Sequence, residues 1–200
     1  MELYNSEEQQ IEAIKEWLRE NGKAVLFGAV IGLGGLFGWH YYQSSVHESK
    51  QVASDNYVAA LANEEDNQYK LQAFVSSHKD SEYGTLAALQ LAKSQVEANQ
   101  LDEALAQLQT AQQTTQDKAL SLLISYRIAR IEAEQGHYEQ ALSALEAITD
   151  QHWAGRVAEL RGDIAVRQGQ KEAAYAAYTE AQQAGDASQV LQMKLDDLAK

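Results

Sequence analysis

Gly136-His137-Tyr138-Glu139-Gln140-Ala141 is the stretch on which the fold is decided, because its pattern occurs three times. Its counterparts are Asn99-Gln100-Leu101-Asp102-Glu103-Ala104 and Gly169-Gln170-Lys171-Glu172-Ala173-Ala174. Gly and Asn at the head of each tolerate the left-handed backbone that ends one helix and reverses the chain into the next. Small residues stand seven positions before each turn, at Ala92, Ala129 and Gly162. Bulky ones recur after it, at Leu108, Leu145 and Tyr178, followed by Ala111, Ile148 and Ala181. The alanines that close the motifs, Ala104, Ala141 and Ala174, are spaced 37 and then 33 residues apart. Small residues where helices cross let two backbones approach closely. The pattern therefore reads as repeated helix–turn–helix units over about residues 84–184.

Outward from these turns, the apolar periodicity beyond residue 43 is helical nearly throughout. Breaks fall near Asn63–Asp66, His78–Ser81, Asn99–Gln100, Thr114–Asp117, Gly136, Thr149–Gln151, Gly169 and Gly185. They predict about eight helices of roughly 11–20 residues joined by short turns. The 200-residue chain has no proline, and alanine, leucine, glutamine and glutamate dominate it. These are good helix formers, and the expected fold class is all-α. The unit resembles the tetratricopeptide repeat, a helix–turn–helix of about 34 residues that stacks into an α-solenoid. An aromatic near the start of each first helix and a closing proline, both usual in that repeat, are absent. The alternative is an irregular helical bundle.

The N-terminal part reads differently. From Ala24 to His47 there is no Asp, Glu, Lys or Arg, and residues 24–38 are almost purely apolar. Trp39, His40, Tyr41 and Tyr42 follow, as amphipathic aromatics do at a membrane–water boundary. A helix over residues 24–42 would reach about 28 Å, close to the hydrocarbon thickness of a bilayer. Its eight Val, Leu, Ile and Phe residues favour insertion by roughly 2.5–5 kcal/mol, which five glycines weaken. A buried core helix and a cleaved signal peptide are the alternatives; the apolar run is long for a signal and no clear small-residue cleavage site follows it. Lys15, Arg19 and Lys23 precede the span and only Lys50 follows at similar distance. The positive-inside rule then leaves the N-terminus in the cytoplasm and carries residues 48–200 across, into the periplasm in a bacterium. Gly28, Gly32 and Gly35 share one helical face, and Gly34 and Gly38 form a second pair at the same spacing. Another membrane helix could approach closely there, although glycine is also simply common in membrane helices. Before the span, Ser6 with Gln9 predicts the start of a short amphipathic helix over about Glu7 to Asn21, carrying Ile11, Ile14, Trp17 and Leu18. Val52, Tyr57 and Leu61 suggest that the first helix beyond the membrane continues from the span. The expected division is a tail (1–23), a transmembrane helix (24–42), connecting helices (43–82) and a repeat domain (83–200).

A net charge of −13 disfavours nucleic-acid binding, which needs clustered cations to displace phosphate counterions. The lack of cysteine excludes disulfides, thiol catalysis and thiolate metal sites. The five histidines are scattered, with no metal-ligand spacing and no phosphate-binding loop, and Glu64-Glu65-Asp66 lacks the calcium-loop pattern. Neither catalysis nor a cofactor is expected. Apart from Arg19, every arginine lies between residues 127 and 167. In the repeat register Arg127, Arg130, Arg156 and Arg167 fall on first helices, at positions that commonly face the concave groove. With Tyr126 they could bind acidic or extended peptide segments. The plainer reading is helix-surface ion pairing with Glu132, Glu134, Glu159 and Asp163.

Several stretches together resemble a known family. Met1-Glu2-Leu3-Tyr4, Glu20-Asn21-Gly22-Lys23-Ala24, the glycine-rich span ending Gly38-Trp39, Tyr83-Gly84-Thr85-Leu86-Ala87, Trp153-Ala154 and Gln192-Met193-Lys194-Leu195 are similar to the YfgM family over essentially the whole chain. The resemblance implies a single-pass inner-membrane protein of Gram-negative bacteria, an ancillary subunit of the SecYEG translocon. It also implies partnership with a PpiD-like membrane-anchored periplasmic chaperone on emerging, unfolded secretory proteins. It carries no catalytic residues. A membrane-anchored repeat scaffold for envelope assembly or a stress response is the competing role.

Overall fold

The computed structural model describes residues 7–61, 67–185 and 188–199. Met1–Tyr4, Ser6 and Glu64-Glu65-Asp66, singled out above, lie outside them. The chain divides into two compact units, Met1–Val52 and Ala53–Lys200. Among the described residues every regular element is helical.

The first unit is the greater part of one long helix, α1 (Glu7–Leu61). The helix expected to stop near Asn21 does not stop there. The Asn21 Nδ2 atom donates to the Trp17 carbonyl at 3.1 Å, and Gly22, which costs a helix interior only about 1 kcal/mol, is carried through. Nothing in the sequence supplies a proline to end it. Phe27 and Phe37 are 69% and 72% exposed, and Val30, Ile31, Leu33 and Leu36 face outward with them. A 55-residue helix with apolar side chains all round its middle is long and apolar enough to cross a membrane. The Trp39 and Tyr42 rings lie 6.5 Å apart at the end of the apolar run.

The second unit begins on the last turns of α1. There Tyr57 packs on Phe74 and Tyr83, with ring centroids 6.1 and 6.0 Å apart. Eight helices follow among the described residues: α2 (Asn67–His78), α3 (Glu82–Glu97), α4 (Leu101–Thr114), α5 (Lys118–Glu134), α6 (Tyr138–Glu146), α7 (Ala154–Arg167), α8 (Lys171–Gln183) and α9 (Gln189–Leu198). They pack on neighbours in chain order: α3 on α4, α5 on α6, α7 on α8, with α9 against α8. At 9 and 10 residues, α6 and α9 are shorter than expected. Helix α6 stops early because Ile148 turns into the core and the Asp150 carboxylate caps a separate 3-10 turn (Gln151–Trp153) through the His152 N–H at 2.9 Å.

The three turns are built alike. Asn99, Gly136 and Gly169 have φ of 58°, 81° and 73°. In each, the next residue's N–H reaches back six positions inclusive: Gln100 to Gln95 at 2.8 Å, His137 to Glu132 at 2.8 Å, and Gln170 to Ala165 at 2.9 Å. This arrangement satisfies carbonyls that a helix end would otherwise leave open. The small-then-bulky pattern also has a contact behind it. A Cβ on Gly162 would lie 2.3 Å from the Tyr178 ring, so the largest residue at the bulky position sits over the one glycine at the small position. Gly84 has its own reason: a Cβ there would fall 1.9 Å from the His78 carbonyl oxygen in the tight α2–α3 turn.

The core runs through three successive clusters: Leu71, Leu91, Leu108 and Ile124; then Leu145, Val157, Leu160 and Ile164; then Ala174, Tyr178, Leu191 and Leu195. Each helix pair buries its apolar face on its neighbours, as repeat proteins do.

Candidate functional site

First helices α3, α5 and α7, with Leu101 and Leu108 of α4, line a cavity of about 560 Å³ within the second unit. Its apolar lining includes Ala92, Val96, Leu101, Leu108, Ile131 and Leu160. Charged side chains ring it: Lys93 and Glu97 from α3, Arg127, Arg130 and Glu134 from α5, and Asp163 and Arg167 from α7. Three of the four arginines singled out in the sequence thus come together.

The carboxylates around this groove are already taken. Glu97 pairs with Lys93 at 3.7 Å, and Glu134 pairs with Arg167, whose other nitrogen donates to the Ala133 carbonyl at 3.4 Å. Asp163 accepts from the Lys194 ammonium at 2.6 Å and from the Tyr178 hydroxyl at 2.7 Å. Lys194 also donates to Glu159 at 2.7 Å. Glu132 is buried and hydrogen-bonds His137 Nδ1 at 2.9 Å. Of the four carboxylates set against the arginines in the sequence, only Glu134 meets one.

Among the described residues, two of the guanidiniums lining the groove therefore have no carboxylate partner. Arg127 is half-buried and its Nη1 donates to the Leu89 carbonyl at 2.9 Å. Burial first, and the neighbouring Arg130 charge second, pull its pKa below the ordinary arginine value. Arg130, one turn on, is exposed and makes no hydrogen bond or ion pair among the described residues.

Arg156 and Tyr126 belong to a neighbouring group rather than to the cavity wall. The Arg156 guanidinium lies 5.2 Å from the centroid of the Trp153 ring, within cation–π range, and Tyr126 packs on the same indole at 5.4 Å. Burial is the main cause that raises the Tyr126 pKa; the Arg130 and Arg156 charges oppose it, and those of Glu159 and Asp163 add to it. Trp153 was not among the candidate groove residues, though its place before an arginine three residues on, at stacking distance on a helix start, is a signal for this contact. In the first unit Gly28, Gly32 and Gly35 have nothing within 4 Å of where a Cβ would be. Among the described residues no three His, Cys, Asp or Glu side chains are placed to hold a metal ion.

The chain matches the model of the tetratricopeptide repeat-like domain family over residues 15–200. It is 36% identical over 207 aligned positions to an Escherichia coli protein named "Ancillary SecYEG translocon subunit", covering 100% of both chains. The chain belongs to this family of ancillary SecYEG translocon subunits. A Haemophilus influenzae protein of the same name is 34% identical, with 96% of this chain and 97% of that one covered. Among solved structures, the MamA RS-1 ArsTM double mutant superposes with a TM-score of 0.58 at 16% identity, over 74% of this chain and 82% of that one. The family match and that likeness together establish an all-α tetratricopeptide-like array, and the chain also carries an apolar N-terminal helix. Membership of a translocon-subunit family and a helix long and apolar enough to cross a membrane fit an inner-membrane protein with a repeat domain.

Proposed function

We propose that the protein is a non-enzymatic, membrane-tethered scaffold that serves the SecYEG translocon and works beside a PpiD-like periplasmic chaperone on secretory proteins as they emerge. The observation that carries this reading is the full-length likeness to ancillary translocon subunits, anchor included. The excess of Lys15, Arg19 and Lys23 over Lys50 supports a cytoplasmic tail (1–23), a span (24–42) and a periplasmic part made of connecting helices (43–82) and repeats (83–200). Tethering raises the effective concentration of the repeats near a membrane-embedded channel by fixing them to its plane. The open glycine face at Gly28, Gly32 and Gly35 is offered to a helix of such a partner. The groove between α3, α5 and α7 is offered to polypeptide, with Tyr126 and Arg156 beside it.

Purification in mild detergent, followed by identification of bound proteins, tests the assignment. Translocon subunits and a PpiD-like chaperone are expected in the eluate; recovery of envelope-assembly or stress-response proteins in their place favours the competing scaffold. Alkaline phosphatase joined after Ala60 is expected to be active, and an inactive fusion overturns the orientation. Leucines at positions 28, 32 and 35 are expected to reduce complex yield. An unchanged yield removes the glycine face from the proposal.

A further inference from the structure

The groove is unusual in its charge balance. The protein as a whole is strongly acidic, yet every carboxylate lining the cavity already has a cation, while among the described residues Arg127 and Arg130 have no carboxylate partner. Two guanidiniums one helical turn apart repel each other. Arg127 is moreover held in place by the Leu89 carbonyl, so one edge of its fork is fixed and the rest is left to bind. Against them lies an apolar floor of Val96, Leu108, Ile131 and Leu160. Three successive first helices about 10 Å apart present a track of roughly 20 Å, long enough for about six extended residues.

We propose that Arg127 and Arg130 form an anion subsite that takes the side-chain carboxylate of an Asp or Glu flanked by apolar residues on an extended polypeptide segment. This rests on the reading that the groove takes polypeptide, and adds which segments it selects. An isolated anion would satisfy the guanidiniums and leave the floor wet; a purely apolar segment would cover the floor and leave the arginines unpaired. A carboxylate between apolar side chains does both. The acidic surface elsewhere repels such a segment only weakly, because salt screens charges beyond about 8 Å at physiological ionic strength.

The test uses the full chain in nanodiscs of zwitterionic lipid and two fluorescein-labelled extended peptides, one with a Leu-Glu-Glu-Leu core and one with a Leu-Gln-Gln-Leu core. Anisotropy should show the Glu core bound about tenfold more tightly, the range expected for partly exposed charge-assisted hydrogen bonds. That preference should vanish in Arg130→Gln and in the double variant Arg127→Gln/Arg130→Gln. Arg161→Gln, on α7 but off the cavity wall, should keep it. Arg130 is exposed and makes no hydrogen bond or ion pair among the described residues, so the single variant remains informative should the double variant misfold. Equal binding of both cores overturns the carboxylate subsite and leaves the polypeptide reading standing. Binding of neither overturns both. Arginine-dependent loss of peptide in nanodiscs of anionic lipid reassigns the subsite to a lipid headgroup and overturns the proposal.

Discussion

Lys194 and Arg130 are cations on the same helical domain with opposite surroundings. Lys194 reaches from α9 to two carboxylates of α7, Asp163 and Glu159, and its ammonium lies 5.5 Å from the Tyr178 ring centroid. Arg130 faces a groove whose carboxylates are committed elsewhere. The first arrangement ties α9 to α7 across the Tyr178 ring of α8. The second leaves charge available at the surface where successive first helices meet. A cation that is satisfied inside the fold stabilises it; one left open is free for a partner. Measurements of stability should therefore separate the two regions.

The largest effect is expected around Tyr178, beside Lys194. Gly162→Ala puts a methyl 2.3 Å from two carbons of the buried Tyr178 ring, and the ring cannot move without dragging its hydroxyl from Asp163. Over-packing of this kind costs about 3 kcal/mol. A thermal melt of the variant should fall by roughly 6–12 °C. An unchanged melt would show that the α7–α8 crossing is looser than the contact implies.

Next comes Lys194→Met. It keeps the apolar stem but leaves Asp163 and Glu159 without their ammonium. The pair is part-exposed, so about 1–2 kcal/mol is expected rather than the larger value of a fully buried pair. The same cluster predicts an alkaline limb. Burial alone would lower the Lys194 pKa, but its hydrogen bonds to Asp163 and Glu159 and their charges hold it above the ordinary 10.5. Burial, then the hydrogen bond to Asp163, raises Tyr178 above the ordinary 10.0. Both groups keep their protons more tightly folded than unfolded. Their contribution is complete below those ordinary values and is lost as pH rises through them toward the raised folded values. Melting temperature should drop in that alkaline range, and less steeply in Tyr178→Phe. An equally steep drop in the variant removes Tyr178 from the explanation.

The contrast also marks what a sequence can convey. The turns were legible because left-handed residues recur at fixed distances, and Asn99, Gly136 and Gly169 all adopt positive φ. The apolar span was legible from its missing charges. The continuity of α1 past Asn21 was not, since asparagine and glycine break a helix only when something else competes for the backbone, and nothing does. For the groove, the register brought Arg127, Arg130 and Arg167 together, but local spacing could not say which carboxylates they meet. Arg167 finds Glu134 from 33 positions away, and Lys194 reaches Asp163 from 31. Pairing across stacked helices depends on their separation and roll, which short-range periodicity does not encode. The turn itself offers a smaller test. Asn99→Gly removes the Cβ from a residue at φ 58° and should stabilise by about 0.5–1 kcal/mol in the same melt, whereas a loss would mean that the asparagine side chain holds the turn.

The smallest effect is expected at the open cation. Arg130→Gln removes a charge that no carboxylate among the described residues answers and relieves its repulsion of Arg127, one turn away. Exposed substitutions of this sort stay within about 0.5 kcal/mol, and here the sign should be toward greater stability. Added salt should narrow the gap between variant and wild type, because screening weakens the same repulsion. A loss above about 1 kcal/mol would reveal a folded-state partner for Arg130 and place it beside Lys194 as a structural cation. A neutral or favourable change, together with loss of the Glu-core preference, would separate the requirements of folding from those of binding at a single side chain.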